Sequence, residues 1–416
     1  MSMRPSKLWP WRNSFAYNAR VLTAEAGLSA RERLAEVLPE SALAGAQDAA
    51  ETSILVIDAP PAAAFALAAP LRGAGATVHC DPLRFVVVAR RAALESCRAA
   101  CAGSEAAVLA ELLRAFDADR TRPVQLRLRD KRLDFTGGAK VMGILNVTPD
   151  SFYDRGRFAG LDPARARAAE MVELGAAVID VGGQSYAHWN PRVEAREERE
   201  RVVPIVEALV RDRLGVPLSI DTFKSDVAEA ALAAGADAIN DCSGLSDERM
   251  PGVVARYDAA LVVMHLLGEL NVRAQSYEYG DALGEIGAFL RERAELALAA
   301  GVARDSIAID PGLEFGKEPA TDLEILERFG DLRSLGYPIL FAASRKSFIG
   351  RVVDRPAREL LVPSLATAAV GIAAGAALVR VHDVAETVQL ARMLAALNGD
   401  VRRNLPIAGK MPETPA

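Results

Sequence analysis

Polar and ionisable residues recur along this chain at one kind of position, the end of a short apolar run. The runs end on Asn146, Asp180, Asp221, Asn240-Asp241, Met264-His265 and Asp310. The last two lead to Ser344-Arg345-Lys346 and to Arg380-Val381-His382. These residues fall into two chemical sets. Asp180, Asp221, Asn240 and Asp310 offer acceptors and an amide group. A flat heterocycle with several N–H donors, such as a pterin or guanine-like ring, would satisfy them. Arg345, Lys346, Arg380 and His382 form a cationic set suited to phosphate. Arginine supplies bidentate geometry for it and lysine a point charge. Asn146 offers an oxygen to Mg2+, a cation that takes oxygen ligands and substrate phosphates. The ligand these residues predict is a polar bicycle carrying an anionic leaving group.

A repeat sets where each group stands. Apolar runs at 141–146, 177–181, 217–221, 236–240, 260–265, 306–310, 338–342 and 377–381 alternate with amphipathic segments. Those segments, at 163–174, 196–211, 225–234, 247–256, 281–300, 322–335, 360–374 and 384–397, read as helices. Gly175, Gly235, Gly301, Gly336 and Gly375 close several of them, as C-terminal caps do. Eight strand–helix units over about 270 residues predict an α/β fold of the (β/α)8 TIM-barrel type, with a doubly wound open sheet as the alternative. A barrel carries its site at the C-terminal ends of its strands and commonly holds phosphate near strands seven and eight. All eight polar termini then share one rim.

The first part of the chain stands outside this repeat. Strands at 53–58, 76–80 and 85–89, with helices at 62–73, near 92–101 and at 105–116, predict a small α/β domain within residues 1–120. No catalytic constellation appears in it, so a scaffold or oligomerisation role is the expectation. The barrel is expected over 121–402, with a hairpin at 123–135 closing its bottom. The apolar segment 360–374 is a candidate surface for a homodimer.

Composition limits the remaining possibilities. The chain has 416 residues, of which 51% are hydrophobic, ample for a large core. A net charge of −6 argues against a general nucleic-acid partner. Cys80, Cys97, Cys101 and Cys242 form no disulfide framework and read as buried or idle thiols, which fits a reducing cytoplasm. The N-terminal segment has no apolar core of the kind a secretory signal needs. The stretch 362–379 reads as a helix and a buried strand rather than a membrane span.

With these stretches in hand the chain resembles the dihydropteroate synthase family, the folate-pathway branch of the pterin-binding barrels. The resemblance rests on Met142-Gly-Ile-Leu-Asn-Val-Thr-Pro-Asp-Ser-Phe152, Ile179-Asp-Val-Gly-Gly-Gln-Ser185, Ser219-Ile-Asp-Thr-Phe-Lys224 and Ile239-Asn-Asp241. It continues through Val263-Met-His265, Asp310-Pro-Gly312, Phe315-Gly-Lys317, Ser344-Arg-Lys-Ser347 and Arg380-Val-His-Asp383. It covers residues 126–397, and the N-terminal part is similar, more weakly, to the extra domain of longer family members. The resemblance implies transfer of a dihydropterin methylene group from diphosphate to the amine of p-aminobenzoate. By match, Asp180, Asn240, Asp310 and Lys346 hold the pterin, with Asp221 and Met264 touching it. Asn146, Arg380 and His382 hold diphosphate and Mg2+, and Phe315, Gly316, Lys346 and Ser347 flank the aminobenzoate. The catalytic work falls to Lys346, Arg380, His382 and Asp221. Loops at 148–160 and 183–192 are expected to close over the site.

The second of these loops departs from the family pattern. Where relatives continue Thr-Arg-Pro-Gly, this chain has Tyr186-Ala187-His188-Trp189. Arg192, His188 or Arg155 is a candidate for the missing cation. Tyr153 and Arg155 replace small residues in the first loop, and Leu313-Glu314 replaces an apolar-Gly pair before Phe315. The changes cluster on the acceptor side and predict weak sulfonamide binding. They keep two alternatives open: a transferase using another arylamine, as in a methanopterin-type pathway, or a non-catalytic or methyl-transferring pterin-binding relative.

Overall fold

A computed structural model describes residues 18–22, 53–58, 61–80, 85–147, 160–186, 190, 192–271 and 277–397. The expected loop at 148–160 therefore lies outside the described residues except for Gly160, as do Ala187, His188 and Trp189.

Strands β1 (Asn18–Leu22), β2 (Ser53–Asp58), β3 (Thr77–Cys80) and β4 (Phe85–Ala89) form an antiparallel sheet in the order β1-β2-β4-β3. Helix α1 (Pro61–Gly73), the short α2 (Arg91–Ser96) and α3 (Gly103–Arg120) accompany it. Leu55, Ile57, Leu67, Leu71, Phe85, Val87, Leu109, Leu112 and Phe116 fill one core cluster here. Strand β1 falls in a segment that reads as polar and irregular from sequence. Its partner is β2, more than thirty residues away, so local pattern carries no sign of it.

The hairpin of β5 (Gln125–Leu128) and β6 (Lys131–Asp134) follows. Then come the eight parallel strands: β7 (Lys140–Asn146), β8 (Val178–Gly182), β9 (Leu218–Asp221), β10 (Ala238–Asp241), β11 (Ala260–Met264), β12 (Ile307–Asp310), β13 (Leu340–Phe341) and β14 (Leu378–Val381). They pair in the order β12-β11-β10-β9-β8-β7-β14-β13, and a parallel bridge from Ile309 to Ile339 joins the two ends. The barrel is thus closed and the open-sheet alternative is excluded. Its helices are α4 (Leu161–Glu173), α5 (Ala195–Asp212), α6 (Ser225–Ala233), α7 (Met250–Arg256), α8 (Ala282–Ala299), α9 (Pro319–Glu327), α10 (Ser347–Val353), α11 (Leu361–Ala373) and α12 (Val384–Leu397). Two details differ from the sequence expectation. The segment expected as one helix at 322–335 is α9 followed by a 3-10 stretch, Phe329–Leu335, and α10 was not foreseen.

Alternation along these strands positions the site. Successive side chains of a strand point to opposite faces. Ile179, Val181, Ile220, Ile239, Leu261, Val263, Ile307, Ile309, Val379 and Val381 face the helices in the main core. Met142, Val178, Ala238, Ala260, Val262, Ala308, Leu340 and Leu378 face inward, where Leu126, Leu128 and Leu133 of the hairpin plug the bottom. One inward step further up each strand come Asp180, Asp221, Asn240, Met264, Asp310 and Arg380. An apolar layer therefore floors a polar one. The apolar stretch 362–379 falls in α11 and β14, as its pattern predicts. Among the described residues no helix is long and apolar enough to cross a membrane.

Candidate active site

The polar layer is organised around one guanidinium. Arg380 donates from Nε to Asp180 Oδ2 at 2.6 Å and from Nη2 to Asp221 Oδ2 at 2.6 Å. Asn240 Nδ2 donates to the same Asp180 oxygen at 3.2 Å. Strand register makes this possible, since Asp180 pairs with Ser219 and Asn240 with Asp221 across adjacent strands. Asp180 is wholly buried, and Asn240, Asp221 and Asp310 nearly so. Burial would strip Arg380 of its proton, but the two carboxylates outweigh it and hold the guanidinium charged. Burial pushes the Asp221 carboxyl up to about 7; Arg380 opposes this and the Asp180 charge adds to it. Asp180 Oδ1 and Asp221 Oδ1 have no hydrogen-bond partner among the described residues. A buried acceptor without a donor is costly, so two such oxygens at a barrel mouth match a ligand rich in N–H groups.

Around the rim, Asn146 stands level with Gly182 and Gly182 with Asp221. A Cβ on Gly182 would lie 3.2 Å from Asn146 Oδ1 and 3.7 Å from Asp221 Cβ, so the three crowd together. Asp310 accepts from the Gly312 N–H at 2.7 Å, and burial raises its carboxyl pKa against the pull of Lys346. Lys346 donates to the Leu313 carbonyl at 2.6 Å and its Nζ stands 4.8 Å from the centre of the Phe315 ring. Burial lowers the Lys346 ammonium pKa, against the charge of Asp310. Gly316 adopts a positive φ of 64°, and a Cβ there would meet the Leu267 carbonyl at 2.7 Å, so glycine is required. Lys317 is buried beneath this loop and fastens it, donating to Gly312 O at 2.7 Å and Phe315 O at 2.9 Å.

Three residues expected at the rim, Arg345, His265 and Asp241, take other roles, and a fourth, His382, keeps its place but not its charge. Arg345 does not join the cationic set. It forms a buried ion pair with Asp383 at 2.7 Å and donates to the carbonyls of Ala357 and Arg358. His382 lies at the expected place, but burial and then the charges of Arg380 and Arg345 push its imidazole down to about 3, so it is neutral. His265 has the wrong strand parity for the mouth. It stacks edge-on against Phe289 with ring centres 4.8 Å apart, so strand β11 contributes Met264 instead. Asp241, likewise turned outward, accepts from Ser243 and shapes the following loop.

Sequence reasoning missed the inward turn of Tyr186. Its hydroxyl donates to the Asp221 carbonyl at 3.1 Å, and its ring joins Cys242, Met264, Leu266, Leu270 and Phe315 in an apolar wall. The only local signal was the aromatic itself, in the loop that departs from the family pattern. Arg192 lies over the Phe223 ring at 5.2 Å, and Phe223 is tilted against Tyr186 at 5.9 Å. Gln184 and the buried Glu198 both accept from Lys224, and Asn271 donates to the Ser185 carbonyl at 2.8 Å. These contacts tie the start of the second loop to the segments that follow β9 and β11.

A closed (β/α)8 barrel with a buried, acidic, inward-facing mouth defines the class, and the pterin binding enzyme family model matches residues 142–382. The chain belongs to that family. The dihydropteroate synthase of Bacillus subtilis (strain 168) is 41% identical over 278 residues, 67% of this chain and 92% of that protein. Among solved structures, Yersinia pestis dihydropteroate synthase with a sulfonamide drug is 37% identical, TM-score 0.64, covering 66% of this chain and 99% of that one. The Xanthomonas albilineans enzyme with 4-aminobenzoic acid is 37% identical, TM-score 0.61, covering 67% and 99%.

Proposed function

We propose that this chain condenses 6-hydroxymethyl-7,8-dihydropterin diphosphate with p-aminobenzoate, releasing diphosphate, in folate biosynthesis. The observation that carries this reading is the Asp180–Arg380–Asp221 clamp with its two unpartnered inward oxygens. Asp180, Asn240 and Asp310 receive the pterin N–H groups, with Asp221, Met264 and Lys346 against the ring. Departure of diphosphate leaves positive charge on the pterin methylene, which the Asp180 and Asp221 carboxylates favour. The amine then forms the new C–N bond and loses a proton. Phe315, Gly316, Lys346 and Ser347 line the acceptor side, with Tyr186 added to its wall.

Among the described residues no three His, Cys, Asp or Glu side chains gather to hold a metal. Asn146 offers a single oxygen, which fits Mg2+ carried mainly by substrate phosphates and water. Bound there, Mg2+ would neutralise the leaving diphosphate. Arg380 lies on β14, the strand that pairs with the Asn146 strand β7, and the neutral His382 follows it.

Mixing the protein with Mg2+, the pterin diphosphate and p-aminobenzoate tests the reading: diphosphate and a product of dihydropteroate mass are expected. No dihydropteroate at high enzyme concentration would sink it. The sulfonamide series is the companion measurement, with inhibition expected only well above the low micromolar range. The reaction should also report Asp221. Its raised pKa means the carboxyl is protonated below about 7, so kcat/KM is expected to fall about tenfold per pH unit below that point. The Asp221→Asn variant should be slow and lack this limb; an acid limb retained in the variant assigns it elsewhere.

We also infer that residues 1–120 form a separate scaffold domain. The core cluster of Leu55 to Phe116, distinct from the barrel clusters, supports this. It is seated on the barrel by Arg114 donating to Ser334 O at 2.8 Å and by an Arg333–Asp119 pair at 3.0 Å. A homodimer through the last helices is supported by the exposure of Val362, Met393 and Leu397. No disulfide joins Cys80, Cys97, Cys101 and Cys242, which fits a cytoplasmic setting.

A further inference from the structure

Glu314 sits at the edge of the acceptor side, immediately between Leu313, whose carbonyl holds Lys346, and Phe315, whose ring lies against the Lys346 ammonium. Its backbone is left-handed, with φ of 70°, a region that L side chains enter uphill. Two contacts hold it there. Its own N–H donates to the buried Asp322 carboxylate at 2.7 Å. Its side-chain Oε1 accepts from the Ser347 backbone N–H at 2.9 Å and also from the Ser347 hydroxyl. A glycine would take this conformation freely, so the carboxylate is what a glutamate adds. Two donors of one residue converge on one carboxylate oxygen, and they do so beside the ring and ammonium that face the acceptor.

We propose that Glu314 is the acceptor-specificity residue of this site: its carboxylate holds the Ser347 donor pair that the carboxylate of a benzoate acceptor would otherwise take. A benzoate amine must displace Glu314 before it seats, whereas an arylamine whose para substituent carries no hydrogen-bond acceptor meets no such competitor. Like charge adds to the effect, since the incoming carboxylate approaches a resident one. Glu314 therefore raises the KM for p-aminobenzoate and leaves the chemical step untouched. This inference rests on the arylamine-transfer reading given above.

The test compares p-aminobenzoate with p-toluidine, whose methyl group has no use for these donors, in the full-length wild type, Glu314→Ala and Glu314→Gly. Alanine removes the carboxylate and keeps the strained backbone; glycine removes both. In both variants KM for p-aminobenzoate is expected to fall about tenfold, with kcat and the KM for p-toluidine changing by less than about twofold. Equal changes for the two amines, or none for p-aminobenzoate, overturn the proposal. Absence of diphosphate release in every protein overturns the transfer reading instead. Calorimetric titration of p-aminobenzoate into protein holding dihydropterin and diphosphate then reads Glu314 by itself. A Kd unchanged by Glu314→Ala refutes the competition.

Discussion

Lys346→Ala is expected to lower kcat/KM for diphosphate release by about 1000-fold while leaving the fold intact. Lys346 reaches both sides of the proposed reaction. Its ammonium donates to the Leu313 carbonyl, stands on the Phe315 ring and feels the buried Asp310 charge. Removing it takes a cation from beside the pterin and loosens the wall against which the acceptor would lie. Lys346→Arg should not restore the rate, because a planar fork cannot occupy the position of a compact ammonium over that ring. Burial of Lys346 leaves room for stability effects, so circular dichroism of the variant belongs with the kinetics. Activity within about tenfold of wild type in a folded Lys346→Ala protein would refute this site map.

Arg380→Ala should act first on stability. It leaves two buried carboxylates facing each other without a counter-charge, at a cost of about 3–5 kcal/mol. A drop in Tm on the order of 10 °C is then expected in thermal unfolding. The decisive control is charge removal on the other side. Adding Asp180→Asn and Asp221→Asn to Arg380→Ala should return most of the lost stability while activity stays absent. If the triple variant is no more stable than Arg380→Ala alone, the loss comes from packing and not from unpaired charge.

Both predictions depend on facts of unequal legibility. The barrel was readable because each strand is buried on two faces and each helix on one, so apolar runs and amphipathic segments alternate in the chain itself. The inward set was readable in part. Asp180, Asn240 and Asp310 stand two residues beyond Val178, Ala238 and Ala308, with the same parity as these apolar residues that line the barrel below them. Applied strictly, that parity also separates Met264 from His265 and Asn240 from Asp241, which a list of strand ends does not. The stretch Phe329–Leu335 and the short helix Ser347–Val353 were harder, since helical type and short lengths depend on what packs against them.

The amino-acid sequence by itself determined the period of the fold, the strand ends that carry polar groups, and the acceptor-side residues where this chain departs from its relatives. Tertiary structure decided which charges meet. Arg380 clamps Asp180 and Asp221 because three strands bring those groups within hydrogen-bond reach. Arg345 and Asp383 cancel each other in a buried pair, and His382 loses its charge to the same burial. Tyr186 turns into the apolar wall, and Glu314 finds Ser347, thirty-three residues away. Periodicity is a local property that any window of chain displays. Ionisation and pairing depend on solvent exclusion and on neighbours distant in sequence, and those exist only once the barrel has closed.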